Sequence, residues 1–452
     1  MKKEGWTIVV PNMSPVHFNI MKRIFTNHGF KALLLENSSP SVIQEGLKYV
    51  HNDMCYPCLL VIGQMIDAIH RGLVDKDRCA LIISQTGGGC RASNYYFLLL
   101  KALERAGLEN IPVISANLQG MNSNPGFKIT PSMLVQAFTA LVYGDLLLLL
   151  SNQTRPYEIN KGDTDRLVDK WTDILGDCYE KNRGYFWGNM KRKLNQISDD
   201  FSAIPVKRTP KVKVGVVGEI YLKFNPFAHK NVTGWLMDRG IEIVPPVLTD
   251  FFLQYFVNRR TKKTSGLERS RVPEFVFDGL YSFLMKKVRE VDRIASAFRY
   301  YRPFGDIFEE AEFGKELVSL NAIFGEGWLL PAEIASYCRH GVNNVISLQP
   351  FGCIANHIVE RGIENRIKER YPDVNLLSID FDSGVSDVNI INRLLLFMDN
   401  IRMPERSSSC HSDQSACHPE RSSTCHPDQP SCHPERSEGS VIPLSNSNPE
   451  RL

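Results

Sequence analysis

An excess of charge of either sign is missing from this chain. Its 53 lysines and arginines against 50 aspartates and glutamates leave a net charge of +3 over 452 residues, which speaks against a nucleic-acid surface or a polybasic membrane anchor. A leader pattern is missing too: MKKEGWTIVV runs straight into a strand-like segment with no apolar core or small-residue cleavage site. Long apolar runs are scarce. The most apolar one, Ala137 to Leu150, reads as too short to span a bilayer and contains Asp145, so a buried helix in a cytoplasmic protein is expected. There is no Walker A loop and no ASKHA-type DxGxT loop, and the Thr86-Gly87-Gly88-Gly89 turn lacks the lysine and spacing of a phosphate loop. The chain is therefore not expected to be an ATPase itself.

What is present is an ordinary globular composition, 43% apolar and 23% charged, long enough for two or three domains. Short apolar runs at Trp6–Val10, Lys31–Leu35, Ala80–Ser84 and Pro112–Asn117 alternate with helical spacing at Ser14–His28, with Ser14 as N-cap, and near residues 41–49, 59–72 and 94–107. A buried helix follows from about Ser132 to Ser151. This alternation predicts a doubly wound, mostly parallel sheet over residues 1–152. Residues 153–210 read as a helical connection, punctuated by Pro205 and Pro210.

A second α/β domain is expected over 211–402, opening with the strand Val212–Gly218 and continuing with a helix at Asn231–Arg239 and a strand at Ile241–Val244. Arg259–Arg271 is basic and poor in apolar residues, which predicts a loop or solvated face. Further helices are expected over Gly279–Tyr301, Leu330–His340, from Asn356 and over Asn389–Ile401, with strands at Asn344–Leu348 and Asn375–Asp380. The halves echo each other in SQTGGGCRASNY and SLQPFGCIANHI, each a strand, a glycine turn, a cysteine and a helix, which suggests two related domains facing a cleft. From Met403 the apolar periodicity stops. Cys-His pairs at 410–411, 417–418, 425–426 and 432–433 allow a zinc array, but their spacing is not that of a finger, and a disordered, low-complexity tail over 403–452 is expected.

With an intracellular setting, cysteines read as thiols or metal ligands rather than disulfides. Cys79, Cys178 and Cys338 sit in strand or helix patterns and read as small hydrophobes. Cys55, Cys58, Cys90 and Cys353 fall at strand ends or helix starts, where free N–H groups favour thiolates. Thiolates from separate loops hold iron–sulfur clusters, and four of them also close a zinc site. Cys55-x-x-Cys58 is in addition a candidate dithiol pair. Spacing alone leaves these open. Glu219 and Glu326, each in a glycine-containing turn, are candidates for moving protons in a cleft or for capping helices. Gln85, Thr86 and Gln349 are candidate hydrogen-bond donors around a bound group or turn-stabilising residues, and Gly88 and Gly89 allow close backbone approach.

The segments NDMCYPCLLVIGQ, QTGGGCRASNY, GEGWLLPAEI, LQPFGCIANHI and DFDSGVSDVNIINRL resemble the 2-hydroxyacyl-CoA dehydratase family. More closely they resemble the dehydratase-like region of large proteins related to acyl-CoA dehydratase activases. The resemblance runs in order over roughly residues 5–400. It implies that Cys55, Cys90 and Cys353 hold a 4Fe–4S cluster, or a double-cubane cluster as in some relatives, with one iron left open. The position of Cys58 is not usually cysteine in that pattern, and Asn225 and His229 in KFNPFAHKN lie in a family-like loop of open role. The resemblance further implies a separate ATP-dependent activase as electron donor, a second dehydratase-like subunit or a homodimer, and an acyl-CoA-type substrate dehydrated through a ketyl radical. A non-catalytic iron–sulfur electron-transfer or scaffold subunit is the alternative, and a structural zinc protein a third.

Overall fold

The computed structural model describes residues 5–117, 127–268 and 273–401. The cysteine–histidine pairs of the tail and the expectations attached to them lie outside the described residues.

Runs of apolar residues too short for helices become strands buried on both faces, as parallel sheets require. The first half comprises β1 (Thr7–Val10), α1 (Pro15–Asn27), β2 (Lys31–Leu34), α2 (Pro40–Tyr49), α3 (Tyr56–His70), β3 (Cys79–Ser84), α4 (Tyr95–Arg105) and β4 (Val113–Ala116). Its sheet has the order β2-β1-β3-β4, all parallel, with Thr7 opposite Lys31 on one side and Cys79 on the other. Helices α5 (Pro131–Thr154), α6 (Asp163–Glu180) and α7 (Trp187–Ser202) follow.

The second half begins with β5 (Lys213–Gly218), α8 (Ile220–Phe224), α9 (Val232–Asp238), β6 (Glu242–Val244), α10 (Leu248–Thr264) and α11 (Glu274–Ala295). It continues with α12 (Ile307–Lys315), α13 (Leu329–Arg339), β7 (Asn344–Pro350), α14 (Glu364–Arg370), β8 (Asn375–Phe381) and α15 (Asp387–Asp399). The order β6-β5-β7-β8, again all parallel, repeats the topology of the first sheet strand for strand. The fold is thus α/β with two doubly wound parallel sheets, and the echo between the glycine-cysteine turns corresponds to equivalent places in the two sheets.

One continuous apolar cluster includes Val9, Leu81 and Ile83 of the first sheet and Val216, Ile346 and Phe381 of the second, with Leu60 and Met65 of α3. A second gathers α1, α5, α6, α7 and α11 around Tyr143, Tyr179, Phe201 and Trp328. Helix α3 is buried along nearly its whole length and lies so close to α2 that a β-carbon on Gly63 would strike the Val42 carbonyl oxygen. Gly63→Ala therefore forces the two helices apart. We expect a loss of roughly 1–3 kcal/mol, read as a lower urea midpoint with an unchanged slope.

Two expectations need correcting, and a third is narrowed. Of the loop and the solvated face expected at Arg259–Arg271, the solvated face holds over Arg259–Thr264, the end of α10, whose buried residues Leu248, Leu253 and Val257 anchor the other end. Ser14 stands at the N-cap position of α1, yet its hydroxyl bonds His17 Nδ1 at 2.7 Å instead of a backbone N–H. The apolar helix α5 extends beyond its apolar run in both directions. With the turn after it, to Tyr157, it is long and apolar enough to cross a membrane by length and composition, with 67% of its apolar window buried inside the protein. It packs against α1, α6, α10 and β6, the surroundings of a core helix.

Candidate functional site

In a doubly wound sheet the chain leaves its first strand in opposite directions, and the strand ends at that reversal open a crevice. In the second sheet the reversal lies between β5 and β7. Glu219 directly follows β5, and Cys353 directly follows the turn after β7. In the first sheet it lies between β1 and β3, and Cys90 ends the glycine turn after β3. Cys55 is the residue before α3. Gly352, with φ +76°, brings the turn after β7 against this helix start: a β-carbon there would lie 3.1 Å from Cys55 Cα, and the Tyr56 N–H donates to the Phe351 carbonyl at 3.0 Å. The turn before α13 meets the glycine turn in the same way. A β-carbon on Gly89 would lie 2.5 Å from the Phe324 ring, and one on Gly325 would lie 3.8 Å from Cys90 Sγ.

The three thiols share one local device. The backbone of the turn that follows favours the ionised form of each: at Cys58 for Cys55, at Ala92 for Cys90 and at Asn356 for Cys353. Each lies at a helix start, whose partial positive charge has this effect. Burial nevertheless pushes all three thiols up, Cys55 to about 11, with Glu219 or Glu326 adding to it at each and Cys90 adding to it at Cys55 and Cys353. The Tyr95 hydroxyl, fully enclosed, lies 2.8 Å from Cys55 Sγ. Thr86 faces the Cys90 thiol and favours its ionised form.

Two carboxyls complete the group. Glu219 caps α8, its side chain accepting the Leu222 N–H at 2.9 Å. Glu326, 3% exposed, accepts the Ile220 N–H at 2.6 Å. Burial and mutual repulsion push Glu219 up to about 8, and burial pushes Glu326 up to about 7 although Lys223 opposes it. Like-charged neighbours in one enclosed place hold at least one proton between them near neutrality.

Other candidates stand elsewhere. Cys58 is fully buried in the first turn of α3, within the apolar core, where burial, with Cys55 adding to it, raises its pKa. Gln85 braces its turn, donating to the Ser93 carbonyl and accepting from the Ser115 hydroxyl. Gly88, at φ +70°, has open space around it. Gln349 is fully buried and donates to Glu360, a carboxyl in the π-helical turn after Cys353 that burial raises to about 7. Asn225 ties its loop to the Asn12 carbonyl at 2.7 Å, and His229, kept neutral by burial, caps α9 by accepting the Val232 N–H at 3.0 Å. Cys79 is fully enclosed, whereas Cys178 and Cys338 are half-buried.

Sequence reasoning missed Tyr95, the last residue of QTGGGCRASNY, five positions beyond Cys90. It also missed the enclosed ion pair of Lys223 with Glu333, 2.8 Å apart. Lys223 follows Glu219 by one helical turn, the signal that could have found it. Among the described residues, no three His, Cys, Asp or Glu side chains stand close enough to hold a single metal ion. No family model matches the chain, and no curated protein matches it significantly.

Proposed function

We propose that the chain is an iron–sulfur protein resembling 2-hydroxyacyl-CoA dehydratases. It would accept a low-potential electron from an ATP-dependent activase and use it to dehydrate or reduce an acyl-CoA-type substrate in an anaerobic cytoplasm. The observation that carries this reading is the set of three thiols on separate loops, each at a helix start, near two proton-bearing carboxyls at the carboxyl ends of two parallel sheets.

Cys55, Cys90 and Cys353 would hold a 4Fe–4S cluster, which supplies one-electron chemistry at low potential. The donor set fits that group. Enclosed neutral thiols would release their protons to solvent as a cationic metal core binds, and the helix starts beside them favour the thiolates that result. Zinc, which also takes thiolate ligands, is the competing metal for the same thiols. Glu326 and Glu219 would hold the proton that a departing hydroxyl needs to leave as water. Phe324 and Phe351, both about half-exposed beside the cysteines, would line the approach of an acyl chain.

The test is to give the anaerobic protein an activase of this class, ATP, a low-potential reductant and a short 2-hydroxyacyl-CoA. Enoyl-CoA is expected, and none is expected with Glu326→Gln. A second reading, an electron-transfer subunit, is favoured by the closure of the Cys55 helix start against Gly352, which leaves Cys55 only 6% exposed. It predicts that the protein takes up the electron and leaves every thioester unchanged.

A further inference from the structure

Next to the Glu219–Glu326 pair lies a buried polar group with no part in the chemistry above. Lys223 of α8 pairs with Glu333 of α13, their side chains 2% and 4% exposed. Glu310 of α12 and Asp250 of α10 adjoin them: Glu333 is the strongest charged neighbour of Glu310, and Glu310 that of Asp250. Lys223 acts on each of Asp250, Glu310, Glu326 and Glu333. Fully ionised, those four carboxylates around one ammonium would leave three uncompensated charges inside the protein, a state that burial does not tolerate.

Two carboxyl oxygens here, Glu333 Oε2 and Glu310 Oε2, are enclosed and have no hydrogen-bond partner. Each is a place for a proton. Glu310 also reaches outward, because its Oε1 lies 3.2 Å from where a β-carbon of Gly305 would sit, and Gly305 is exposed. Glu333 and Lys223 act on Glu310 on one side and on Glu326 on the other.

We propose that Glu310, Glu333, Asp250 and Lys223 form a buried proton store that takes protons from solvent at Glu310 and reloads the Glu219–Glu326 pair. When Glu326 gives up its proton it becomes a carboxylate. Glu333 or Glu310 returns one proton to it, and water at the Gly305 side restores that proton to Glu310. No electron moves, and one proton enters for each one delivered. The store rests on the proposed function only for what Glu326 protonates.

The other groups around it are accounted for. Asp306 and Glu309 add negative charge beside Glu310, and Asp145 does so beside Asp250. Tyr337 faces Glu333, Glu310 and Asp250, with Arg302 opposing them. Tyr281 lies near Asp250 but donates to Asp306 at 2.8 Å. Because burial and Glu333 hold Glu310 up to about 8, its proton is present at neutral pH and lost as pH rises through that value.

Infrared titration of the full chain reads this directly through the stretch of protonated, buried carboxyls. That band should be present at neutral pH, fall as pH passes about 8, and lose a component in Glu310→Gln and in Glu333→Gln. Its absence at neutral pH, or an unchanged band in both variants, overturns the store. In a turnover assay the alkaline limb should shift to lower pH in Glu310→Gln, with KM unchanged and with rescue by Glu310→Asp; an unshifted limb removes the delivery role. The expected infrared result without any thioester turnover supports the store and counts against the proposed function instead.

Discussion

Cys90→Ala, purified without oxygen, should lose most of its iron and acid-labile sulfide and all of the low-potential signal. Cys90 follows a turn whose glycines at 87 and 88 take φ of +74° and +70°, so its sulfur lies against the Gly325 turn and within electrostatic reach of Cys55, Cys353 and both site carboxyls. Removing it leaves two thiolates, too few to retain the proposed cluster. Cys58→Ala is the control that separates convergence from mere sequence proximity. Cys58 lies nearer to Cys55 in sequence than any other cysteine, but it is enclosed by the core. Its variant should keep the metal and lose only stability, by about 1 kcal/mol for a small truncation in a core. The opposite pattern, metal kept without Cys90 and lost without Cys58, would reassign the ligands.

Asp145→Ala should destabilise the protein by roughly 3–5 kcal/mol, the range for breaking a buried, hydrogen-bonded charge. Asp145 is fully enclosed on the apolar helix α5. One of its oxygens meets His17 Nε2 at 3.1 Å and the Leu248 N–H at 2.6 Å, and the other meets the N–H and hydroxyl of Thr249 at 2.8 and 2.5 Å. It thus caps the start of α10 from a distance, supplying the acceptor that a helix start lacks. Alanine would strand several donors at once, each costing about 1–3 kcal/mol if left unpaired. Equilibrium urea unfolding measures this, and a change under about 1 kcal/mol would mean that water replaces the carboxylate and the bridge is not structural.

These two residues also mark the limits of reading the sequence. Cys90, Cys55 and Cys353 were legible because a strand end, a glycine and a helix start are local patterns, spelled within a dozen residues. The parallel sheets were legible for the same reason, since strand and helix periods differ and alternate. Asp145 showed only as an oddity in an apolar run, because its partners at Leu248 and Thr249 are more than 100 residues away. Lys223 and Glu333, 110 residues apart, meet only once α8 and α13 pack. Helix α10 escaped because it buries Leu248, Leu253 and Val257 while exposing Phe252 and Tyr255. Its apolar residues therefore make no single face, and its charged end dominated the pattern.

Anaerobic purification of the intact chain, with iron, sulfide and zinc analysis and EPR of the reduced protein, tests the central claim most directly. The account predicts iron and acid-labile sulfide in matching amounts and a reduced 4Fe–4S signal, held by Cys55, Cys90 and Cys353. Stoichiometric zinc without iron would contradict it.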